Sequence, residues 1–245
     1  MNLEKKETTI GVIDQSQQKA AKVAGFTLIL AIAIVVISNY SVGFRYVVSD
    51  VAETARNMIE HETAFRFSIF CNLIYLVTLI LMSTSLYVIL KPANKNLALA
   101  ALFFRLLWAS MWAIMVLSTF NALRLLGDDG FLKVFETDQL QAMSRLHLNS
   151  NHYAYYVALP FWGLTSTVIS YLLHKSKYIP KVLAIFGIIS SVWCVFCAFS
   201  YIIFPGYGDV IHLGLFDVPL TIFEVTLGFW LLFKGLKAHP NPINK

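Results

Sequence analysis

A chain of 245 residues that is 58% hydrophobic and only 13% charged is excluded from the ordinary water-soluble class, in which about a quarter of residues are charged. The mean hydropathy of +0.66 points to solvation by hydrocarbon, and the length accommodates six spans of about 20 residues with short loops but no second soluble domain. The formal charge of +5 comes mainly from lysines flanking apolar segments, an orientation signal and not a basic groove, so no nucleic-acid partner is expected.

Residues 1–18 are polar and of mixed charge, and are expected to form a cytoplasmic tail. The first apolar run begins near Ala21, too late and too long for a cleavable signal core. It predicts a retained span over 22–44, broken only by Ser38, Asn39 and Ser41 near its outer end. Residues 50–62 read as a short amphipathic helix, with Asp50 as cap, Glu53 three residues on, and Val51, Ala55, Met58 and Ile59 along one face. Too short and too charged to cross, it is expected to lie in the interface.

Span two is predicted over 65–90, a tight turn over 91–96 and span three over 97–119. Asp128-Asp129-Gly130 marks an outer turn, and Asp138 with Gln141 introduces a second short interfacial helix over 139–148. Span four follows over 154–173 with Pro160 as a kink. Span five covers 182–204 and ends at Pro205-Gly206, span six covers 213–233, and 238–245 form a second cytoplasmic tail. The membrane domain thus runs over 19–237.

Under this map Lys5, Lys6, Lys19, Lys22, Lys91, Lys95, Lys175, Lys177, Lys181, Lys234, Lys237 and Lys245 share one side. The opposite loops hold most of the acids, among them Asp50, Glu53, Glu60, Glu62, Asp128, Asp129, Glu136 and Asp138. The lysine-rich side is therefore expected to be cytoplasmic. The fold class is all-α: a polytopic transmembrane helix bundle of six spans, N-in/C-in, with two short outer interfacial helices.

Charges inside the spans are the most informative features, since each costs about 2.5–3.5 kcal/mol or more at the bilayer centre unless paired. Arg105 lies eight residues from the cytoplasmic end of span three and Glu224 nine from that of span six. At about 1.5 Å per residue both sit roughly 12–14 Å deep, which predicts a buried ion pair. Asp217 precedes Glu224 by seven residues and shares its helix face, nearer the outer surface. Asn39, Asn72, His152, Tyr155, Tyr156 and Asp217 fall at similar depths, with Arg66 and Arg145 near the rim. This outer polar layer either lines a cavity or is a set of interfacial residues satisfying one another. Arg105, Glu224, Asp217, Arg66, Asn72, His152, Tyr155 and Asn39 are the candidate binding residues.

Other chemistry is poorly supported. Cys71, Cys194 and Cys197 lie inside apolar segments, and the CxxC spacing of the last two lacks polar neighbours, so packing thiols are expected. His147 and His152 are five apart, off the i, i+4 spacing of a helical zinc pair, and no HExxH occurs, so no metal is expected. Neither a Gly-rich phosphate loop, a nucleophile elbow nor a dinucleotide fingerprint is present, so no cofactor and no catalytic residue is assigned.

Several stretches taken together resemble a known family. They are Lys19 through Gly25, Ala64-Phe65-Arg66, the hairpin from Leu86 through Pro92 and Asn94 to Arg105-Leu106, Ser176 through Leu183, Phe204 through Tyr207, and Glu224 through Gly235. Over about residues 18–237 the chain is similar to the prokaryotic membrane proteins called domain of unknown function 4386. The resemblance implies a six-helix, multi-pass protein of the cytoplasmic (inner) membrane of a prokaryotic cell and brings no catalytic residue with it. Three roles are compatible with the residues: binding or transport of a small-molecule or lipid ligand through a polar core, a structural or regulatory membrane subunit, and an intramembrane enzyme on a lipid-like substrate. The bilayer itself is the one partner all three share; the oligomeric state is open.

Overall fold

Where no water reaches the backbone, every N–H and C=O must be satisfied within the chain, and an apolar run does this most simply as a helix. In the computed structural model, which describes residues 13–204 and 206–237, each long apolar run does so, and no strand occurs among the described residues. The main helices are α1 (Gln15–Ser38), α2 (Val51–Glu60), α3 (Glu62–Leu90), α4 (Lys95–Leu125), α5 (Thr137–Ser176), α6 (Lys181–Ile203) and α7 (Val218–Phe233). Five of them, α1, α3, α4, α5 and α6, are long and apolar enough to cross a membrane, and α7 is an apolar helix of 16 residues.

The ends of these helices are set by local chemistry. Asp14 and Gln17 form a capping box on α1, so Gln15 to Gln18 belong to the helix and not to a tail. The rest of the predicted N-terminal tail, residues 1–12, and the C-terminal tail over 238–245 lie outside the described residues. Asp50 caps α2 by accepting from the Glu53 N–H at 2.6 Å, and Asn94 caps α4 by accepting from the Leu97 N–H at 3.0 Å. The α5 helix ends with Lys177 in the left-handed region at φ 56°, and Pro180 opens α6.

Packing arranges these six apolar helices as a ring in chain order. Helix α1 packs on α3, α3 on α4, α4 on α5, α5 on α6 and α6 on α7, and α7 closes the ring against α1. Closure depends on a near-contact of backbones: a Cβ on Gly25 would lie 2.5 Å from the Leu232 nitrogen and 2.7 Å from the Gly228 carbonyl oxygen. Residues pointing out of the ring are apolar and uncovered, such as Phe70 at 57% and Val77 at 58% exposure. A surface of that kind is sustained in lipid and not in water. The chain is an integral membrane helix bundle.

Three expectations are corrected by the structure. The predicted second interfacial helix over 139–148 is not separate from span four, because α5 runs unbroken for 40 residues from Thr137 to Ser176. The polar stretch Asn149-Ser150-Asn151 that suggested a break is satisfied without one. Ser150 Oγ donates back to the Leu146 carbonyl at 2.8 Å, and Asn151 Nδ2 donates to Thr119 Oγ1 at 2.9 Å. The sixth apolar run becomes helical only at Val218, since a 3-10 turn at Leu213–Leu215 comes first and Pro219 sits in the first helical turn. On α2 the buried face is Thr54, Ala55 and Met58, whereas Val51 and Ile59 are exposed. The reason is that α2 docks on α5 rather than standing alone: Arg145 Nη1 donates to the Val48 carbonyl at 2.7 Å, and Thr54 Oγ1 donates to the same carbonyl at 3.0 Å.

Candidate functional site: a cavity inside the helix ring

The ring does not fill its own centre. A cavity of about 690 Å³ lies between α1, α3, α4, α5 and α7, and α6 contributes no lining residue. Along α3 it extends from Phe65 to Met82, a rise of roughly 25 Å at 1.5 Å per residue. One end is lined by Val47 and Leu148, near the α2 contact, and the other reaches Arg105 and Glu224.

Helical spacing explains which side chains meet there. On α4, Arg105, Trp108 and Trp112 follow one another at i, i+3 and i+7. On α5, Tyr155, Trp162 and Ser166 do so at i, i+7 and i+11. On α3, Ser68, Asn72 and Tyr75 stand at i, i+4 and i+7. Each set therefore occupies one face of its helix.

At the floor, Arg105 Nη2 donates to Glu224 Oε1 at 2.8 Å, with the two side chains 3% and 9% exposed. The same carboxylate oxygen accepts from Trp162 Nε1 at 2.6 Å and from Ser166 Oγ at 2.8 Å. Three donors from two helices thus converge on one oxygen, which is how a charge in a low-dielectric interior is kept satisfied. Arg105 Nε is buried without a hydrogen-bond partner among the described residues.

The walls above the floor are aromatic and held in place. Trp108 Nε1 donates to the Tyr75 hydroxyl at 3.2 Å, and Trp112 Nε1 donates to Asn72 Oδ1 at 2.9 Å. Trp108 lies 5.3 Å from Trp162, 5.4 Å from Trp112 and 5.7 Å from Tyr155 between ring centroids. Every indole N–H of this cluster has an acceptor, so the rings stand in defined positions. Asn72 Nδ2 donates in turn to Ser38 Oγ and to the Ser68 carbonyl, both at 2.8 Å, which ties α1 to α3.

Nearer the other end, the Tyr155 hydroxyl donates to Asp217 Oδ2. No Lys or Arg pairs with Asp217 among the described residues, unlike Glu224. His152 Nε2 lies 3.3 Å from the Tyr201 hydroxyl, and its ring packs edge-on against Tyr156 at 4.9 Å. Asn39 lines the cavity from the π-helical turn Asn39–Gly43 that ends α1. Asn151 also lines it, and its Oδ1 is buried with no donor among the described residues.

Of the eight candidate binding residues, seven line this one cavity: Arg105, Glu224, Asp217, Asn72, His152, Tyr155 and Asn39. Arg66 does not. Its side chain is 57% exposed and its Nε bonds Glu62 at 2.6 Å, one turn back on the same helix. Arg145 is also outside, occupied by the α2 docking contact. Sequence reasoning missed the three tryptophans, Tyr75 and Ser166. The signal that could have found them is their heptad-like spacing from residues already chosen.

The geometry defines a class: an integral membrane bundle with a lipid-facing exterior and a polar-floored, aromatic-walled interior chamber. The chain belongs to the family described as Domain of unknown function (DUF4386), whose family model matches residues 23–235. No curated protein and no solved structure matches the chain.

Proposed function

We propose that the chain is a six-span protein of a cell membrane, with both termini cytoplasmic, that binds a small amphiphilic molecule in the central cavity and moves it across the bilayer. The observation that carries this reading is the cavity itself. Its volume of about 690 Å³ falls in the range of pockets that enclose small ligands, and its aromatic walls are already fixed by hydrogen bonds, so binding costs little reordering. A bundle needing only to hold its own shape gains nothing from a chamber of this size, which forfeits packing contacts along its whole length.

A structural role remains the second reading, and one observation favours it for the floor alone. Glu224 Oε1 is saturated by Arg105, Trp162 and Ser166 without any ligand, so the pair fixes helix register and closes the chamber at its base.

The experiment is native mass spectrometry of the full chain released from its membrane, beside a Val116→Phe variant that narrows the cavity, with flux measured in proteoliposomes. The wild type is expected to carry a small-molecule adduct that the variant lacks. An adduct pattern unchanged by the substitution overturns the reading. Orientation is tested separately by reporter fusions, which are expected to place the 91–94 turn on the same side as the N-terminus.

A further inference from the structure

The charges lining the cavity do not balance. Arg105 is the only lysine or arginine among the described lining residues, and it is engaged by Glu224. Asp217, seven residues earlier at the N-terminal end of α7, is left with the Tyr155 hydroxyl as its side-chain hydrogen-bond donor. Roughly 10 Å along the helix axis separates the two acids, so the floor's guanidinium does not reach the upper one. Asp217 is half-buried, and the donors facing its carboxylate, the Tyr155 hydroxyl and the backbone N–H groups of Asp217 and Val218, are all neutral, so its charge is left without a counter-ion among the described residues.

The ring of Tyr155, which bonds Asp217, belongs to an aromatic cluster. Tyr155 lies 5.7 Å from Trp108, 6.4 Å from Trp112 and 5.4 Å from Tyr156 between centroids. Electron-rich faces beside an acid attract a cation, above all an organic ammonium whose charge is spread over a bulky head. Farther along the chamber Val35, Ile69 and Met115 are apolar, which suits a hydrocarbon tail. Asn151 also lines the cavity, and its buried Oδ1, without a donor among the described residues, presents partial negative charge that does not suit an anion. With two carboxylates, Asp217 and Glu224, against the one guanidinium of Arg105 among the described lining residues, the chamber disfavours an anionic head.

We infer that the cavity takes an organic cation with an apolar tail, its ammonium head set against Asp217 and within the Trp108–Trp112–Tyr155 cluster. The inference rests on the small-molecule reading above and names the ligand class.

The test uses the full chain in maltoside micelles, which contain no ammonium group, and three probes of one shape: trimethyl(4-phenylbutyl)ammonium, 4-phenylbutan-1-ol and 4-phenylbutanesulfonate. Saturable change of tryptophan fluorescence and the shift in unfolding temperature are read for each. The ammonium is expected to bind tightest to the wild type and at least tenfold more weakly to Asp217→Asn, which still accepts from Tyr155. Binding of the alcohol is expected to be the same in both. The ranking of the three probes on the wild type decides the matter even if the variant does not fold. Alcohol or sulfonate binding as tightly as the ammonium overturns the cation assignment and leaves the cavity reading standing. No saturable response to any probe, together with no small-molecule adduct in the mass spectrum, overturns both.

Discussion

Arg105 and Glu224 are 119 positions apart in the chain and 2.8 Å apart in the ring, joined across its interior from α4 to α7. Removing one member of a buried pair strands the other in a low-dielectric interior, which costs about 3–5 kcal/mol. Arg105→Met or Glu224→Leu alone is therefore expected to lower stability by about that much in denaturant titrations of the detergent-solubilised protein. The double variant should recover more than half of the loss, because no charge is then left unpaired. Recovery stays incomplete, since Trp162 and Ser166 also lose their acceptor.

Asn72 joins three partners: Ser38 on α1, the Ser68 carbonyl on its own helix and Trp112 on α4. Asn72→Leu leaves the Trp112 N–H without an acceptor at the cavity wall, a loss of about 1–3 kcal/mol. The Trp112 ring then loses its fixed position. Expected readouts are a lower unfolding midpoint and a broadened, shifted tryptophan emission; emission identical to wild type contradicts the role assigned to Asn72.

The two glycines at the α1–α7 crossing are unequal. A Cβ on Gly25 meets backbone of α7 at 2.5 Å, which cannot yield without moving a helix. A Cβ on Gly228 meets Leu28 Cβ and Ile29 Cγ1 at 3.1 Å and the Gly25 carbonyl oxygen at 3.3 Å, contacts that need a shift of only a few tenths of an ångström. Gly25→Ala is expected to destabilise by about 1–3 kcal/mol through forced overpacking, and Gly228→Ala by clearly less. Equal effects in a thermal unfolding series would contradict the backbone contact at Gly25.

Docking of α2 depends on Arg145, which reaches the Val48 carbonyl at 2.7 Å and Thr54 Oγ1 at 3.4 Å. Arg145→Leu removes both contacts and leaves the ring intact. Amide hydrogen exchange is expected to rise across residues 48–60 and to stay at wild-type levels in α3 and α4. Faster exchange spread through the whole bundle would mean that Arg145 supports more than this one element.

Helix positions were readable from the chain because their causes are local. Hydropathy over about 20 residues decides what can lie in hydrocarbon. The Asp50 cap and the Asn94 turn involve partners three residues away. Depth was readable too, since a fixed rise per residue places Arg105 and Glu224 at one level. The break before span four was misread for a related reason: Asn149, Ser150 and Asn151 look like a loop until Thr119 of α4 supplies a partner.

What depth counting leaves out is rotation. Arg66 and Asn72 are six residues apart on α3, roughly 240° around the helix. One turns to solvent or headgroups with Glu62, and the other faces the cavity. Residue counts along the chain thus determined that this is a membrane helix bundle and which charges share a level. Only the tertiary structure decided which faces look inward, that the last helix closes against the first, that Trp162 and Ser166 complete the Glu224 site, and that Asp217 is left without a cationic partner among the described residues. The physical reason is range: solvation and capping act over a few residues, whereas the azimuth of a helix is set by neighbours a hundred or more residues away.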